Sequence, residues 1–142
     1  MEIRDASSAD ADRIAALLDE LGYAAAPDAV TARIERFRAD ADSRVLVAAE
    51  GLELVGLVSL TAMPLFHEDG CWLRISALVV RGDRRRAGIG RALVEAAEAE
   101  ARARGCRFAE ITSGEGADRY AAHGLYGDLG YRQVSRRFRK EL

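Results

Sequence analysis

The run Val79-Val80-Arg81-Gly82-Asp83-Arg84-Arg85-Arg86-Ala87-Gly88-Ile89-Gly90-Arg91-Ala92-Leu93 joins a hydrophobic strand end to an alanine-rich helix through a basic turn. Such a junction aims several backbone N–H groups at one spot, where the helix dipole also favours negative charge. Gly88 and Gly90 carry no Cβ, so the backbone can come close to a bulky anion. Arg84, Arg85 and Arg86 add side-chain charge that suits phosphate. Two well-known phosphate loops are excluded. No G-x-x-x-x-G-K-[ST] is present, which removes a Walker loop, and Gly88-Ile89-Gly90 lacks the third glycine of the dinucleotide fingerprint.

Upstream, Cys71 to Val80 is apolar on both sides of its alternation and predicts a buried central strand. Arg44 to Glu50 and Leu52 to Ala62 predict two strands joined as a hairpin at Glu50-Gly51. Met63 to Gly70 contains Pro64, Glu68, Asp69 and Gly70 and predicts a loop. At the start, Met1 to Asp5 predicts a short strand that runs into a capping box of Ser7 and Asp10. Ile14, Leu17, Leu18 and Leu21 then recur at helical spacing up to Gly22. Pro27 and Asp28 open a second helix with Val30, Ile34 and Phe37 on one face.

Downstream, alanines and glutamates predict a helix from about Gly88 to Arg104, stopped by Gly105. Arg107 to Thr112 predicts a strand, Ser113 to Gly116 a turn, and Asp118 to Leu129 a short helix. Tyr131 to Phe138 alternates as a last strand. No repeat, linker or low-complexity segment interrupts this order. The expectation is one α/β domain over residues 1–142, with a mixed sheet and helices on both faces.

Bulk properties narrow the partners. A chain of 142 residues suits one domain with a sizeable core, and 49% hydrophobic with 31% charged residues is an ordinary balance. The net charge of −2 gives the whole molecule no reason to seek nucleic acid or a membrane. Basic residues gather locally, at Arg81 to Arg91 and Arg132 to Lys140. Cys71 and Cys106 lie in apolar runs without metal-ligand spacing, which predicts buried free thiols in a reducing cytosol and no metal site. No signal peptide or long apolar span opens the chain, so a cytoplasmic location is expected.

Two motifs carry a resemblance. Arg85-Arg86-Ala87-Gly88-Ile89-Gly90 fits R/Q-x-x-G-x-G/A, and Ala121-Ala122-His123-Gly124-Leu125-Tyr126-Gly127-Asp128-Leu129-Gly130-Tyr131 fits A-x-x-(F/L)-Y-x-x-x-G-(F/Y). With length and element order, they make essentially the whole chain resemble the GNAT family of N-acetyltransferases. The resemblance implies a mixed, mostly antiparallel sheet splayed between strands 4 and 5, here Cys71 to Val80 and Arg107 to Thr112, with acetyl-CoA in the gap. It implies pyrophosphate contacts from Arg85, Arg86, Ala87, Gly88, Ile89, Gly90 and Arg91. Along Leu78, Val79 and Val80 it implies pantetheine hydrogen bonds and an oxyanion-binding N–H, because the family's bulged fourth strand leaves donors unpaired. Tyr126 matches the family's general acid. Pairing through a C-terminal strand would make a homodimer.

The chemistry of acetyl transfer sets the remaining roles. A neutral amine attacks a thioester and a thiolate leaves. A thiol of pKa about 8.5 can take its proton from a phenol of pKa about 10 at little cost. Many relatives place a glutamate base on the fourth strand, three residues before its end, where this chain has Ala77. Substitutes are Glu110, or Glu68, Asp69 and His67 in the preceding loop; His67 is otherwise a solvated loop residue. His123 lies one helical turn before Tyr126 and is expected to support it. Gly124 and Gly127 flank Tyr126, and each costs on the order of 1 kcal/mol in a helix interior, so a bent or loosely held helix is expected.

For the acceptor, a small-molecule primary amine is favoured. The short length, the histidine-bearing loop and the ending Arg137-Phe138-Arg139-Lys140-Glu141-Leu142 resemble aminoalkylphosphonate N-acetyltransferases. Arg74 would then pair with an anionic group of the substrate, or else face solvent at the rim. Amino acids, aminoglycosides and protein N-termini stay open. Two further readings compete: a non-catalytic acetyl-CoA-binding sensor, given Ala77 and the two glycines, and an anion or nucleic-acid module built on Arg81 to Arg91. No aromatic residues interleave that basic run, as base stacking would need.

Overall fold

In the computed structural model, which describes residues 1–112 and 124–142, five strands form one sheet in the order β1-β2-β3-β4-β5. They are β1 (Glu2–Asp5), β2 (Ser43–Glu50), β3 (Glu53–Pro64), β4 (Cys71–Val80) and β5 (Cys106–Ile111). Neighbours are antiparallel except β4 and β5, which run parallel. The helices of this part are α1 (Ala11–Glu20), α2 (Pro27–Ala39) and α3 (Ile89–Ala103). The chain divides into two units, Met1–Thr112, which holds the whole sheet, and Ser113–Leu142.

The helices cover both faces of the sheet, each through an apolar stripe at helical spacing. Ile14 and Leu17 of α1 and Val30 and Ile34 of α2 pack with Val47, Leu57 and Val79. Ile89, Leu93, Ala97 and Ala101 of α3 pack with Leu46, Val58, Leu60, Leu73 and Ile75 on the opposite face. Each large side chain buried this way contributes roughly 1.5–3 kcal/mol, more than an exposed ion pair does. Gly56 of β3 lets α3 sit this close. A Cβ there would lie 2.9 Å from the Val79 carbonyl oxygen, 3.0 Å from Leu93 and 3.1 Å from Ile89.

The turn between β1 and α1 is locked by charge. Ser7 N–H donates to the Asp10 carboxylate at 2.9 Å, as the capping box requires. Asp10 is only 1% exposed and also accepts from Arg4 at 2.8 and 2.9 Å and from Arg13 at 2.9 Å. The Arg4 hydrogen bonds, opposed by burial and helped by Ser7 and Arg13, bring the Asp10 pKa down to about 2.

Three expectations need correction. Residues 131–142 are irregular where a last strand was expected. Val134 and Phe138 stay exposed, so the alternation buries nothing, and Arg136, Arg137, Arg139 and Lys140 crowd like charge along the segment. β4 is not sealed on both faces, since Ser76 is exposed and Trp72 and Arg74 are half-buried. Cys71 and Cys106 are half-buried register partners with their Sγ atoms 2.9 Å apart. Burial and the Cys71 thiol push the Cys106 thiol up to about 11. The helix expected over Asp118 to Leu129 is described only in residues 124–128, and the turn at 113–116 lies outside the described residues. Among the described residues no helix is long and apolar enough to cross a membrane, and no His, Cys, Asp and Glu cluster could hold a metal.

Candidate active site

The site is built on a fault in β4. Leu60 faces Ile75 and Ser59 faces Ala77, so Ser76 is an extra residue, a β-bulge. The bulge switches which side chains face which helix. Leu73 and Ile75 before it pack toward α3, and so do Leu78 and Val80 after it, while Ala77 and Val79 turn to α1 and α2. Ser76 Oγ lies 2.8 Å from Ser59 Oγ.

At the same point β5 leaves. Its pairing with β4 ends at Ile75 and Ile111, and Thr112 N–H donates to the Ile75 carbonyl at 3.3 Å. Among the described residues, Ser76 to Val80 therefore run on beside β3 alone, which is the splay expected between the fourth and fifth strands. Arg81 N–H donates to the Val55 carbonyl at 2.9 Å. Bonded and non-bonded positions alternate along an antiparallel pair. Val79 thus directs its backbone to β3, and Leu78 and Val80 direct theirs to the open edge. Of the three residues singled out in sequence, two present N–H groups there, and Val79 anchors them through its buried side chain.

The open edge leads into the basic loop. Gly82–Arg84 makes one 3₁₀ turn, Arg86 is left-handed at φ 64°, and Gly88 is left-handed at φ 79°. The second of these positions needs glycine; the first stores strain of about 1–2 kcal/mol in an arginine. The first internal bond of α3 runs from Ala92 N–H to the Gly88 carbonyl at 3.0 Å. Ile89, Gly90 and Arg91 thus have N–H groups with no helical acceptor, no side chain among the described residues caps them, and no acidic residue lies in the first turn. Buried Ile89 and Leu93 fix this helix start against β3.

The arginines of the loop divide into two kinds. Arg84 binds both Glu50 oxygens, one at 2.6 Å, and its hydrogen bonds hold the Glu50 carboxyl below the usual range. Arg81 binds Asp83 at 2.6 Å and Glu53 at 3.1 Å. Arg85 and Arg86 are exposed and form no ion pair among the described residues. Arg91 is 3.9 Å from Glu95, one helical turn on. Sequence spacing found Arg85 and Arg86 as the phosphate side chains. It had no signal for Glu50 and Glu53, which are remote in the chain, or for Gly56.

The other candidates are dispersed. Arg74 is half-buried before the bulge, in register with Thr61 of β3 and Glu110 of β5, and makes no ion pair among the described residues. His67 is exposed, 3.6 Å from Glu68, in the 65–70 turn that feeds the start of β4. At about 3.3 Å per residue that start is roughly 17 Å of strand before Ser76. Glu68 is also held by Arg107 at 2.6 Å. In the second unit, Tyr126 sits in the helical segment 124–128, with its carbonyl accepting from Tyr131 N–H at 2.9 Å and its ring edge-on to Tyr131, centroids 6.4 Å apart. His123 lies outside the described residues.

An uncapped helix start beside an unpaired strand edge is a cradle for a phosphate-bearing, amide-bearing ligand. Comparison with known proteins says which one. The profile of the Acetyltransferase (GNAT) family matches residues 11–131. The chain is 32% identical to an aminoalkylphosphonate N-acetyltransferase of Salmonella typhimurium, over 99% of this chain and 91% of that protein. Its fold matches a transcriptional regulator of Bacillus halodurans with a TM-score of 0.89 at 23% identity, covering 99% of both chains. It also matches an aminoglycoside N-acetyltransferase in complex with CoA, with a TM-score of 0.84 at 14% identity over 99% of this chain and 93% of the other. The open β4 edge and the donors at the start of α3 fit acetyl-CoA, the family's acyl donor. The chain belongs to the GNAT family and is an N-acetyltransferase that uses acetyl-CoA.

Proposed function

We propose that this enzyme moves an acetyl group from acetyl-CoA to a primary amine of a small molecule that also carries an anionic group. The observation that carries the site is the continuity of the open Ser76–Val80 edge with the uncapped start of α3. Pyrophosphate sits against the N–H groups of Ile89, Gly90 and Arg91 and the side chains of Arg85 and Arg86. Leu78 and Val80 hydrogen-bond the pantetheine arm, and one of their N–H groups faces the oxyanion. Bound acetyl-CoA supplies the activated acyl group. Half-buried Arg74, just before the bulge, has no anionic partner among the described residues and would receive a phosphonate or carboxylate of the acceptor. That the 32% identical relative is an aminoalkylphosphonate N-acetyltransferase supports that class.

Tyr126 is the proposed general acid, resting on its place in the C-terminal signature. Glu110, in register with Arg74, is the proposed base, acting through water. The family profile runs through both units, which supports treating residues 1–142 as one working domain. Residues 131–142 offer no strand edge for a homodimer, so light scattering at high micromolar concentration decides that point. The test of function is a panel of primary amines with acetyl-CoA, followed by thiol release. Aminoalkylphosphonates should turn over best, and Arg74→Ala should raise KM for them more than for uncharged amines. Tyr126→Phe should lower kcat by about 10²–10⁴-fold with little change in acetyl-CoA KM. Near-normal kcat in that variant would assign the proton to water or another group.

A further inference from the structure

Three carboxylates surround the phosphate loop, and their presence is at first sight unfavourable, because negative charge beside a phosphate site repels a polyanion. Their geometry gives them another task. Glu50 ends β2 and Glu53 begins β3, so the hairpin turn at residues 51–52 places both at one corner of the sheet. Glu50 accepts from both terminal nitrogens of the Arg84 guanidinium, Nη1 and Nη2, and Glu53 accepts from Arg81 at 3.1 Å. From the other side, Glu20, the last residue of α1, accepts the Gly82 N–H at 2.9 Å. Arg81, Gly82 and Arg84 of the loop are thus held from three elements, β3, α1 and β2. The next residues, 85–88, contain both left-handed positions and Arg85 and Arg86, which form no ion pair among the described residues.

We infer that Glu50, Glu53 and Glu20 are positioning residues that clamp the loop so that Arg85, Arg86 and the start of α3 face the pyrophosphate. Arg84, despite its place in the basic run, serves the clamp and not the ligand. This rests on the acetyl-CoA site proposed above. Two opposed expectations make it testable. If the carboxylates act only through charge, removing one should tighten CoA binding, and in Glu50→Gln the released Arg84 would add a further phosphate contact. If they position the loop, removing one should weaken binding, since a displacement of about 1 Å at such a site can cost tenfold or more.

The experiment compares KM for acetyl-CoA with KM for S-acetylpantetheine, which lacks the phosphates, in wild type, Glu50→Gln, Glu53→Gln and Arg84→Met. The pairs are partly exposed, so the fold should survive each change. The clamp predicts about a tenfold rise in KM for acetyl-CoA in Glu50→Gln, less than a twofold change for S-acetylpantetheine, and unchanged kcat. Arg84→Met should match Glu50→Gln, and the double variant should be no worse than either. Tighter or unchanged acetyl-CoA binding in Glu50→Gln overturns the clamp, as does an equal rise for both donors, which would mean general damage. An Arg84→Met loss far beyond that of Glu50→Gln overturns it too, by making Arg84 a phosphate ligand. A wild type that saturates with neither donor defeats the acetyl-CoA site and the clamp together.

Discussion

The arginine–carboxylate clusters at the β1–α1 corner and in the loop after β4 are built differently. At the β1–α1 corner, Asp10 is buried and receives Arg4, Arg13 and the Ser7 N–H, so its lone pairs are used up. In the loop after β4, the carboxylates are half-exposed or exposed, Arg81 and Arg84 are taken, and Arg85 and Arg86 are left over. The first cluster satisfies itself and can only stabilise. The second is satisfied just far enough to hold its backbone, and two cations stay available for a ligand. Charge alone does not mark a binding site; charge without a partner beside a fixed backbone does.

The largest way to break this contrast is Asp10→Ala. It strips a buried acceptor from two arginines and a capped turn, and should cost about 3–5 kcal/mol in denaturant unfolding. Its folded fraction should still bind CoA within twofold of wild type. Weakened binding without lost stability would make the corner part of the site.

Acid gives the next largest effect. The folded Asp10 pKa, about 2, is below its ordinary 3.8, so its contribution is fully present above about pH 4 and fades as pH falls toward 2. That shift is worth about 2 kcal/mol. Urea melts across this range should show the loss, and Asp10→Asn should flatten the profile. Smaller again are Arg85→Glu and Arg86→Glu. Each should weaken CoA about tenfold, near 1.4 kcal/mol, with the unliganded melting temperature unchanged. A fall in that temperature would place these arginines in the fold's own network. The smallest effect belongs to Glu141→Gln, which breaks the exposed Arg139 pair at 3.9 Å. It should change stability by less than about 0.5 kcal/mol and leave binding alone.

What sequence could reveal follows from how far each interaction reaches. The ends of β4 and α3 were legible because strand alternation, the basic turn and the stop at Gly105 are local signals. The capping box of Ser7 and Asp10 was legible for the same reason. Arg4 and Arg13 completing it were not, because nothing local says where a long side chain finds its acid. The clamp was invisible for a stronger reason: Arg84 meets Glu50 across 34 residues. Gly56 carries no local signal either, because the side chains packed against it, Leu93 and Ile89, lie more than thirty residues on. The expected final strand failed because alternation marks a strand only where a neighbouring ladder and a buried face exist to receive it. A bulge in the fourth strand was expected from the family resemblance alone, and its place at Ser76 had no signal in β4's own residues. It shows in the register with β3.

The central claim is that acetyl-CoA lies along the open half of β4 and ends at the start of α3. Titrating ¹⁵N-labelled protein with CoA and following backbone amide shifts tests it most directly. The largest changes should fall on Leu78, Val80, Ile89, Gly90 and Arg91, and the smallest on Leu73 and Ile75, where β5 already covers the same strand. Saturable binding that leaves Leu78, Val80 and the first turn of α3 unmoved would contradict it.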